Sequence, residues 1–326
     1  MSLRLTKLQK QLCNELQKGL PICPRPFAEI AKHLNCDEKT VLQQTRRLQN
    51  AGVIRQLRAL INHRALGIVS TLVAAHIPQE SLQEVAQAVN SLRDVSHNYL
   101  REHYYNLWFT LQAQTAAQID VALSNLSGRF GIDFHSLPVK RVFKLAVCFD
   151  AESRERVLLQ DIERIPERQR IELTRNQKLT LSKLQDVLAI TSEPFAFLCG
   201  GGLGTDDVLT IITDLIDKGV IRRIAAVLDH RKLGFVANVL FTAEVPQDRI
   251  VQAGESLARS GIVSHCYERK TFESWPYNLF AMMHGRSMGR IQHVINKFIE
   301  AEKIHSFQLL PTAAELKKQP VKHKFY

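Results

Sequence analysis

Residues 95–101 read VSHNYLR and residues 263–269 read VSHCYER, so one motif occurs twice in the 326-residue chain. Each copy is followed by Tyr-Asn-Leu, at 105–107 and at 277–279. Core packing selects apolar side chains, whereas this copied unit keeps His, Tyr, Arg and Asn. The repeat therefore predicts a duplicated site, or the two halves of one site, on a duplicated fold.

The repeat extends well before this motif. Gly52 and His63 recur as Gly219 and His230, each 167 positions later. The densely charged stretch 152–175 reads as a linker and the start of a second unit, which places the boundary near Ala151. The predicted domains are 1–62, 63–150, 151–229 and 230–326.

The first part of each unit has the pattern of a winged helix-turn-helix. Apolar residues at helical spacing precede a stretch that reads like the strands of a hairpin. In the first unit the helices are expected at 3–16, 27–34 and 38–48 and the strands at 53–60. In the second unit the first helix is expected at 171–188 and the strands at 220–228.

The second part of each unit reads β-α-β-β-α-β, the order of a ferredoxin-like fold with both helices on one face of an antiparallel sheet. The first copy has strands at 68–77, 95–104, 106–112 and 132–137 and helices at 79–92 and 116–130. The second has strands at 236–245, 262–271, 277–284 and 304–310 and helices at 247–260 and 288–301. The predicted fold class is α+β, a pseudo-dimeric tandem repeat.

Composition narrows the class of protein. The chain is 45% hydrophobic, and no apolar run approaches the roughly 20 residues that cross a bilayer. A cytoplasmic protein without a membrane partner is expected. Six cysteines lack the C-x-x-C spacing of zinc or iron-sulfur sites. The net charge of +11 favours an anionic partner, either nucleic acid or a polycarboxylate.

Each copied strand presents His, Tyr and Arg on one face, because side chains alternate along a strand. The first row is His97, Tyr99 and Arg101, extended by His103 if the strand continues, and the second row is His265, Tyr267 and Arg269. Arginine grips carboxylates with two hydrogen bonds, and histidine donates protons near neutral pH or binds iron. The other interpretation is a polar sheet face used in dimerisation.

Other candidates surround the rows. Trp275, Tyr277 and Asn278 follow the second row, and His284 has Gln112 as its counterpart in the first unit. Aromatic rings such as Trp275 suit stacking on a planar macrocycle, although a core position is the other interpretation.

Arg55 and Arg222 lie in the wing strands, where they are interpreted either as contacts to an anion or as solvated residues. The basic residues after the last strands, Lys144 and Lys318 among them, read as solvated tails.

DNA binding through both units is disfavoured. The recognition helix expected at 38–47 is basic, whereas its counterpart at 206–214 has three acidic residues and no basic one. Phosphate would repel the second helix. A chain that does not bind DNA is therefore expected.

The order of domains resembles the Lrp/AsnC regulators, and the motifs resemble the siroheme decarboxylases related to them. HNYLREH at 97–103 with NLWF at 106–109 is similar to one subunit type of those enzymes. SHCY at 264–267 with WPYNLF at 275–280 is similar to the other type. The two types, which are separate polypeptides in many members, are fused here.

The resemblance implies a carboxy-lyase that converts siroheme to 12,18-didecarboxysiroheme by releasing two acetate carboxyls as CO2, in haem d1 or alternative haem biosynthesis. It implies no cofactor of the protein's own, because the iron arrives with siroheme. The expected partners are siroheme and a second copy or paralogous subunits. The alternatives are a Lrp/AsnC-type transcriptional regulator and a haem sensor.

Roles for the candidate residues follow from that reaction. His97, His265 and His103 are the expected catalytic residues, acting as general acids that protonate the macrocycle as CO2 leaves. His97 or His265 is alternatively an axial ligand of the substrate iron. The expected substrate-binding residues are Tyr99, Arg101, Tyr267, Arg269, Arg55, Arg222, Trp275, Tyr277, Asn278 and His284.

Overall fold

The computed structural model describes residues 4–145, 148–152 and 170–325, and no helix in these ranges is long and apolar enough to cross a membrane. The first unit starts with three helices and a wing strand and continues in the order β-α-β-β-α-β. Its elements are α1 (Lys7–Lys18), α2 (Pro26–His33), α3 (Glu38–Asn50), β1 (Ile54–Ile61), β2 (Val69–Ala75), α4 (Leu82–Ser91), β3 (Val95–Arg101), β4 (Leu107–Ala113), α5 (Ala116–Phe130) and β5 (Phe134–Leu145).

The second unit repeats this order with one reduced element. Its elements are α6 (Arg175–Leu184), α7 (Thr205–Asp217), β6 (Ile221–Leu228), β7 (Ala237–Ala243), α8 (Ile250–Ala258), β8 (Val263–Arg269), β9 (Leu279–Gly285), α9 (Met288–Ala301) and β10 (Phe307–Lys318). The counterpart of α2 is a single 3₁₀ turn, Ala196–Leu198. Gly200, Gly201 and Gly202 follow it with positive φ, a conformation that only glycine adopts readily.

The same capping signal starts the first helix of both units. The Thr6 side chain accepts a hydrogen bond from the backbone N–H of Gln9, and the Gln9 side chain accepts one from the backbone N–H of Thr6. Thr174 and Gln177 repeat this arrangement at α6. Each pair satisfies N–H groups that the helix itself leaves without partners. The repeat is thus visible in the local chemistry of the helix ends.

The winged helix regions of the two units share one hydrophobic core. Leu12 of α1 and Leu181 of α6 are both fully buried in it. The wing strands β1 and β6 pair with each other in antiparallel register, with Leu57 opposite Ala226. The expected hairpin within each unit is therefore wrong. Each strand finds its partner in the other unit, and the inward side chains of both strands cover the common core.

The remaining eight strands form a closed barrel in the order β10-β3-β4-β2-β5-β8-β9-β7. The first half of β5 pairs with β2 of its own unit and the second half with β8 of the other unit. Strand β10 does the same with β7 and β3. The two ferredoxin-like sheets are thus joined edge to edge, and closure leaves no unpaired edge among the eight barrel strands.

The length of β5 and β10 corrects one expectation. Lys144 and Lys318, which were read as solvated tails, lie within these strands. Lys144 is buried, and its ammonium donates to the backbone oxygen of Ala258 at 2.8 Å. Its counterpart Lys317 donates to the oxygens of Asn90 and Leu92. These lysines fasten the ends of the outer helices to the barrel wall.

The barrel wall has two differently used faces. The helices cover the outer face, where Val263 and Phe109 lie in two separate hydrophobic clusters. The inner face holds a third cluster that includes Trp108, Trp275 and Phe280. A side chain of a barrel strand therefore either packs against a helix or faces the interior between the two units.

Candidate functional site

Both His-Tyr-Arg rows lie on the inner face of the barrel. Tyr99 is opposite Trp108, and Tyr267 is opposite Phe280, and both partners belong to the interior cluster. The intervening Asn98 faces the helices, where its amide donates to Asn90 of α4 at 3.0 Å. The alternation read from the sequence thus places His, Tyr and Arg together in each unit.

The first row is fixed by contacts at each residue. His97 Nδ1 lies 2.9 Å from Ser96 Oγ, and the ring centroids of His97 and Tyr99 are 6.1 Å apart. The guanidinium of Arg101 lies 5.6 Å from the centre of the Tyr99 ring. Arg101 also donates to the backbone oxygen of Leu310 at 2.7 Å. The row therefore ends on a strand that comes from the other unit.

The second row repeats this geometry. His265 Nδ1 lies 2.9 Å from Ser264 Oγ, and the His265 and Tyr267 centroids are again 6.1 Å apart. The Arg269 guanidinium lies 4.9 Å from the centre of the Tyr267 ring and donates to the backbone oxygen of Leu137 at 2.8 Å. The duplicated motif is thus a duplicated three-dimensional arrangement.

Burial sets the protonation states of the first row. It lowers the pKa of His97 to about 4, the positive charges of Lys318 and Arg55 lower it further, and the charge of Glu315 opposes the change. Burial also raises the pKa of Tyr99 to about 12. Both side chains are therefore neutral at pH 7, and a neutral imidazole can accept a proton or bind a metal ion.

The two arginines are buried cations. Burial lowers the pKa of Arg101 and of Arg269 to about 10 in each case, which still leaves both charged at neutral pH. Each keeps a buried Nε–H without a protein acceptor. Burial likewise raises the pKa of Tyr267, against the positive charges of Arg269, Arg222 and Arg64. Buried guanidinium groups are suited to pairing with carboxylates.

The wing sheet places further charges beside the rows. Arg55 of β1 donates to Asp229 from Nε at 3.3 Å and from a terminal nitrogen at 3.0 Å, and its other nitrogen lies 3.6 Å from Glu315 of β10. Lys318 lies 3.5 Å from Glu315. Arg55 is therefore half-buried between the wing and the barrel and is not a solvated wing residue.

Sequence reasoning missed several of these neighbours. Arg231 and Arg64 act electrostatically on Tyr99 and Tyr267, respectively. These arginines are copies of one another at the repeat offset of 167, a signal that the sequence contains. Glu315 and Lys318 gave no such signal, because they lie beyond residue 310, where the last strand was expected to end. The full site could be assembled only from the strand pairing.

His103 does not extend the first row. Strand β3 ends at Arg101, and His103 lies in the following turn, where its Nδ1 accepts the backbone N–H of Tyr105 at 3.0 Å. Its ring packs edge-on against Trp275 with centroids 5.5 Å apart. Burial lowers its pKa. The structure thus places His103 beside the aromatic core of the barrel.

Trp275 and Asn278 both contact other parts of the protein. Trp275 is 2% exposed and packs against Trp108 at 5.3 Å between ring centroids. The Asn278 side chain accepts the backbone N–H of Val245 at 2.9 Å and donates to the oxygen of Val245 at 2.7 Å. Asn106 makes the same pair of bonds to Ile77. These bonds give the repeated asparagine the same backbone contact in both units. A role of Asn278 in substrate binding stays a prediction.

Tyr277 and His284 also contact other side chains of the protein. The Tyr277 hydroxyl accepts a hydrogen bond from Gln308 at 2.9 Å. His284 is buried, and its ring lies 4.7 Å from that of His230 and 5.6 Å from that of Phe149. The structure thus places His284 at the joint between the barrel and the second winged helix region.

The helix-turn-helix regions are tied to each other. Arg46 of α3 donates to the backbone oxygen of Ile190 at 2.7 and 3.1 Å, so one basic residue of the expected recognition helix serves the contact between units. The first turn of α7 contains Asp206 and Asp207. The absence of DNA binding stays a prediction.

Comparison with known proteins identifies the relatives of this arrangement. The model of the AsnC-like ligand binding domain matches residues 65–144 and 232–317, and that of the siroheme decarboxylase NirDL-like HTH domain matches residues 9–55. A siroheme decarboxylase of Hydrogenobacter thermophilus is 33% identical over 94% of this chain and 92% of its own length. The siroheme decarboxylase NirD subunit of Pseudomonas aeruginosa is 38% identical over 45% of this chain and 97% of its own length.

A solved structure shares both halves of the fold. It is the siroheme decarboxylase NirDL in complex with an iron-uroporphyrin III analogue, with a TM-score of 0.72 and 29% sequence identity. The match covers 97% of this chain and 94% of that one. The overall arrangement of both units is therefore similar in the two proteins.

Proposed function

The chain belongs to the siroheme decarboxylase family, with both subunit types in one polypeptide, and we propose that it converts siroheme to 12,18-didecarboxysiroheme with release of two CO2. The observation that carries this proposal is the pair of His-Tyr-Arg rows on the inner face of the barrel, next to the wing arginines. Buried cations beside a proton-transferring ring suit a substrate whose rim consists of carboxylates.

The reaction assigns a task to each type of residue. In each of the two steps, the bond between the acetate CH2 and its carboxylate breaks, the electron pair passes into the macrocycle, and a proton ends on the carbon that becomes a methyl group. Each step consumes one proton and releases one CO2. Arginines hold the carboxylates that do not react, and a histidine supplies the proton, which contributes about 10²- to 10⁴-fold to the rate.

The chemistry of the histidines passes through Nε2, because Nδ1 of both His97 and His265 bonds to the preceding serine. The lowered pKa of His97 supports a neutral ring in the protein without substrate. A bound carboxylate raises the pKa of a neighbouring imidazole, which would charge the ring for proton donation. Axial ligation of the substrate iron by the neutral ring is the other role that this geometry supports.

The cofactor requirement follows from the same proposal. Iron enters with siroheme, and the protein supplies binding, orientation and protons. Among the described residues, no group of three or more His, Cys, Asp and Glu side chains is placed to hold a metal ion. The haem d1 pathway, or an alternative route to haem, would use the product. Assembly with a second copy or a paralogous subunit remains part of the proposal.

Anaerobic incubation of the purified protein with siroheme, followed by mass spectrometry, tests the function. We expect a product lighter by two CO2, and heat-denatured protein serves as the control. Binding of siroheme without any change in mass would instead indicate a haem sensor. Salt-sensitive binding to a specific DNA duplex, again without a change in mass, would indicate a regulator.

Single variants test the histidines. His97→Ala and His265→Ala should each be measured for siroheme binding and for turnover. If both variants bind siroheme and keep full turnover, the acid role is wrong. Sirohydrochlorin, the iron-free macrocycle, separates the two roles: it should still lose CO2 if the histidine acts only as an acid, and should fail if iron ligation is required.

A further inference from the structure

Strands β3 and β8 each contain a β-bulge directly before the histidine of their row. In β8, His265 pairs with Met282 and the register shifts just before this pair, so Ser264 is the extra residue of the bulge. The register of β3 shifts in the same way just before His97, at Ser96. Bulges re-aim side chains and are frequent beside active sites. Here they bring a serine hydroxyl against the imidazole that follows it.

The hydroxyl of Ser264 has two contacts that together fix the direction of its hydrogen. Its Oγ lies 3.0 Å from the backbone oxygen of Met282 and 2.9 Å from Nδ1 of His265. A backbone oxygen only accepts hydrogen bonds, and a serine hydroxyl has a single hydrogen to donate. The hydrogen of Ser264 therefore goes to Met282, and Oγ faces His265 as an acceptor.

An acceptor at this position determines the tautomer of His265. A neutral imidazole carries its hydrogen on one ring nitrogen and a lone pair on the other. Since Nδ1 donates to Ser264, Nδ1 carries the hydrogen and Nε2 carries the lone pair. Ser264 is fully buried, so water does not compete with His265 for its Oγ.

The corresponding serine of the first unit lacks this constraint. Ser96 Oγ lies 2.9 Å from Nδ1 of His97, the same distance as in the second unit. Within the part of the chain that the structure describes, Ser96 Oγ makes no hydrogen bond to a backbone oxygen. Its hydroxyl can either donate to Nδ1 or accept from it, so the structure fixes no tautomer for His97. Ser96 is therefore a matched control for Ser264.

We propose that Ser264 is a positioning residue that holds His265 in the tautomer with its hydrogen on Nδ1, so that proton exchange takes place at Nε2. The tautomer follows from the hydrogen bonds alone, whereas its use in catalysis rests on the proposed function. The same tautomer also presents Nε2 to iron, so Ser264 would orient the ring for either role of the histidine.

A fixed tautomer has a consequence for two successive decarboxylations. The protonated ring gives its Nε2 proton to the carbon that has lost CO2, and it returns to the neutral form with its hydrogen still on Nδ1. A proton from solvent then recharges Nε2 before the second step. The ring therefore needs no change of tautomer between the two steps, and its bond to Ser264 is kept throughout.

Nuclear magnetic resonance of the full-length chain with ¹⁵N-labelled histidine tests the tautomer, because protonated and unprotonated ring nitrogens give well separated signals. The chain has 12 histidines, and the spectrum of His265→Gln identifies the signals of His265. On the alkaline side of its titration, without ligand, we expect His265 to be protonated at Nδ1 and unprotonated at Nε2. Ser264→Ala should abolish this preference, and Ser96→Ala should leave it unchanged.

Turnover of siroheme separates positioning from a merely structural role. Ser264→Ala should lower kcat about 10- to 100-fold with little change in KM, the range typical when a partner that orients a functional imidazole is removed. Ser264→Thr keeps a hydroxyl and should recover both the tautomer and most of the rate. Circular dichroism and thermal unfolding check that each variant is folded. If the extra methyl group of threonine prevents folding, the comparison of Ser264→Ala with Ser96→Ala decides alone.

Three results would overturn the inference while leaving the proposed function in place. They are a hydrogen on Nε2 of neutral His265 in the unmodified protein, an Nδ1 tautomer that persists in Ser264→Ala, and an unchanged kcat in Ser264→Ala after the tautomer has been lost. Failure of the unmodified protein to release CO2 from siroheme, whatever the tautomer of His265, would instead count against the proposed function itself.

Discussion

Acid should destabilise this protein through a buried histidine at the joint between barrel and wing. His230 is 3% exposed, and burial followed by the positive charge of Lys318 lowers its pKa to about 4, against a partly compensating effect of Asp229. An unfolded histidine has a pKa of about 6.5. Below pH 6.5 His230 is therefore protonated in the unfolded state but not in the folded state. Its contribution to the free energy of unfolding is complete above pH 6.5 and is lost as the pH drops toward 4.

The size of the effect follows from the two pKa values. Each unit of difference is worth about 1.4 kcal/mol, so this single group should lower the free energy of unfolding by about 2 kcal/mol between pH 7.5 and pH 5. His230→Gln keeps a neutral polar side chain of similar size and removes the titration. The variant should therefore lose about 2 kcal/mol less than the unmodified chain over this pH range.

Urea unfolding at pH 7.5, 6.5, 5.5 and 5.0, followed by tryptophan fluorescence, measures this difference. Trp108 and Trp275 are both buried inside the barrel, so their emission reports its opening. The difference in free energy of unfolding between variant and unmodified protein at pH 7.5 gives the packing cost of the substitution and serves as the internal reference. If this difference in free energy stays constant down to pH 5, the assignment of His230 as a neutral buried group is refuted.

Two further substitutions have clear expected costs in urea unfolding. A Cβ at Gly254 of α8 would overlap the ring of Phe143, so Gly254→Ala should lower the free energy of unfolding by about 1 to 3 kcal/mol. The control is Gly128→Ala, where nothing lies within 4 Å of the added Cβ. This variant should be neutral or stabilise the protein by up to about 1 kcal/mol. Asn278→Ala breaks two hydrogen bonds to the backbone of Val245 and should cost about 1 to 3 kcal/mol, and equal stability would show that solvent satisfies that backbone.

The local pattern of the sequence predicted the elements and the rows. Alternation along the strand placed His97 and Tyr99 on one face, and the structure shows both on the inner face of the barrel. The helices α5 and α9 begin and end at the residues that the apolar spacing indicated. Such features depend on neighbours in the chain, so a single sequence contains the information that specifies them.

The pairing of strands from distant parts of the chain was not predicted from the sequence. The last strand of each unit was expected to end at residue 137 or 310, immediately before Pro138 and Pro311, and proline lacks the N–H that a central strand requires. In the structure each lies within a strand, near the region where the partner of that strand changes from one unit to the other. Glu315 was missed for this reason. The pairing of β1 with β6 was missed because nothing in either strand indicates its partner.

The crossing of β5 and β10 has a consequence for how such a protein is assembled. Neither half could close its share of the barrel alone, since each would expose an open edge inviting aggregation. Where the halves are separate gene products, their encounter depends on the amounts synthesised. Covalent connection replaces that bimolecular meeting by an intramolecular one at millimolar effective concentration, which ensures equal stoichiometry and disfavours pairs of identical halves.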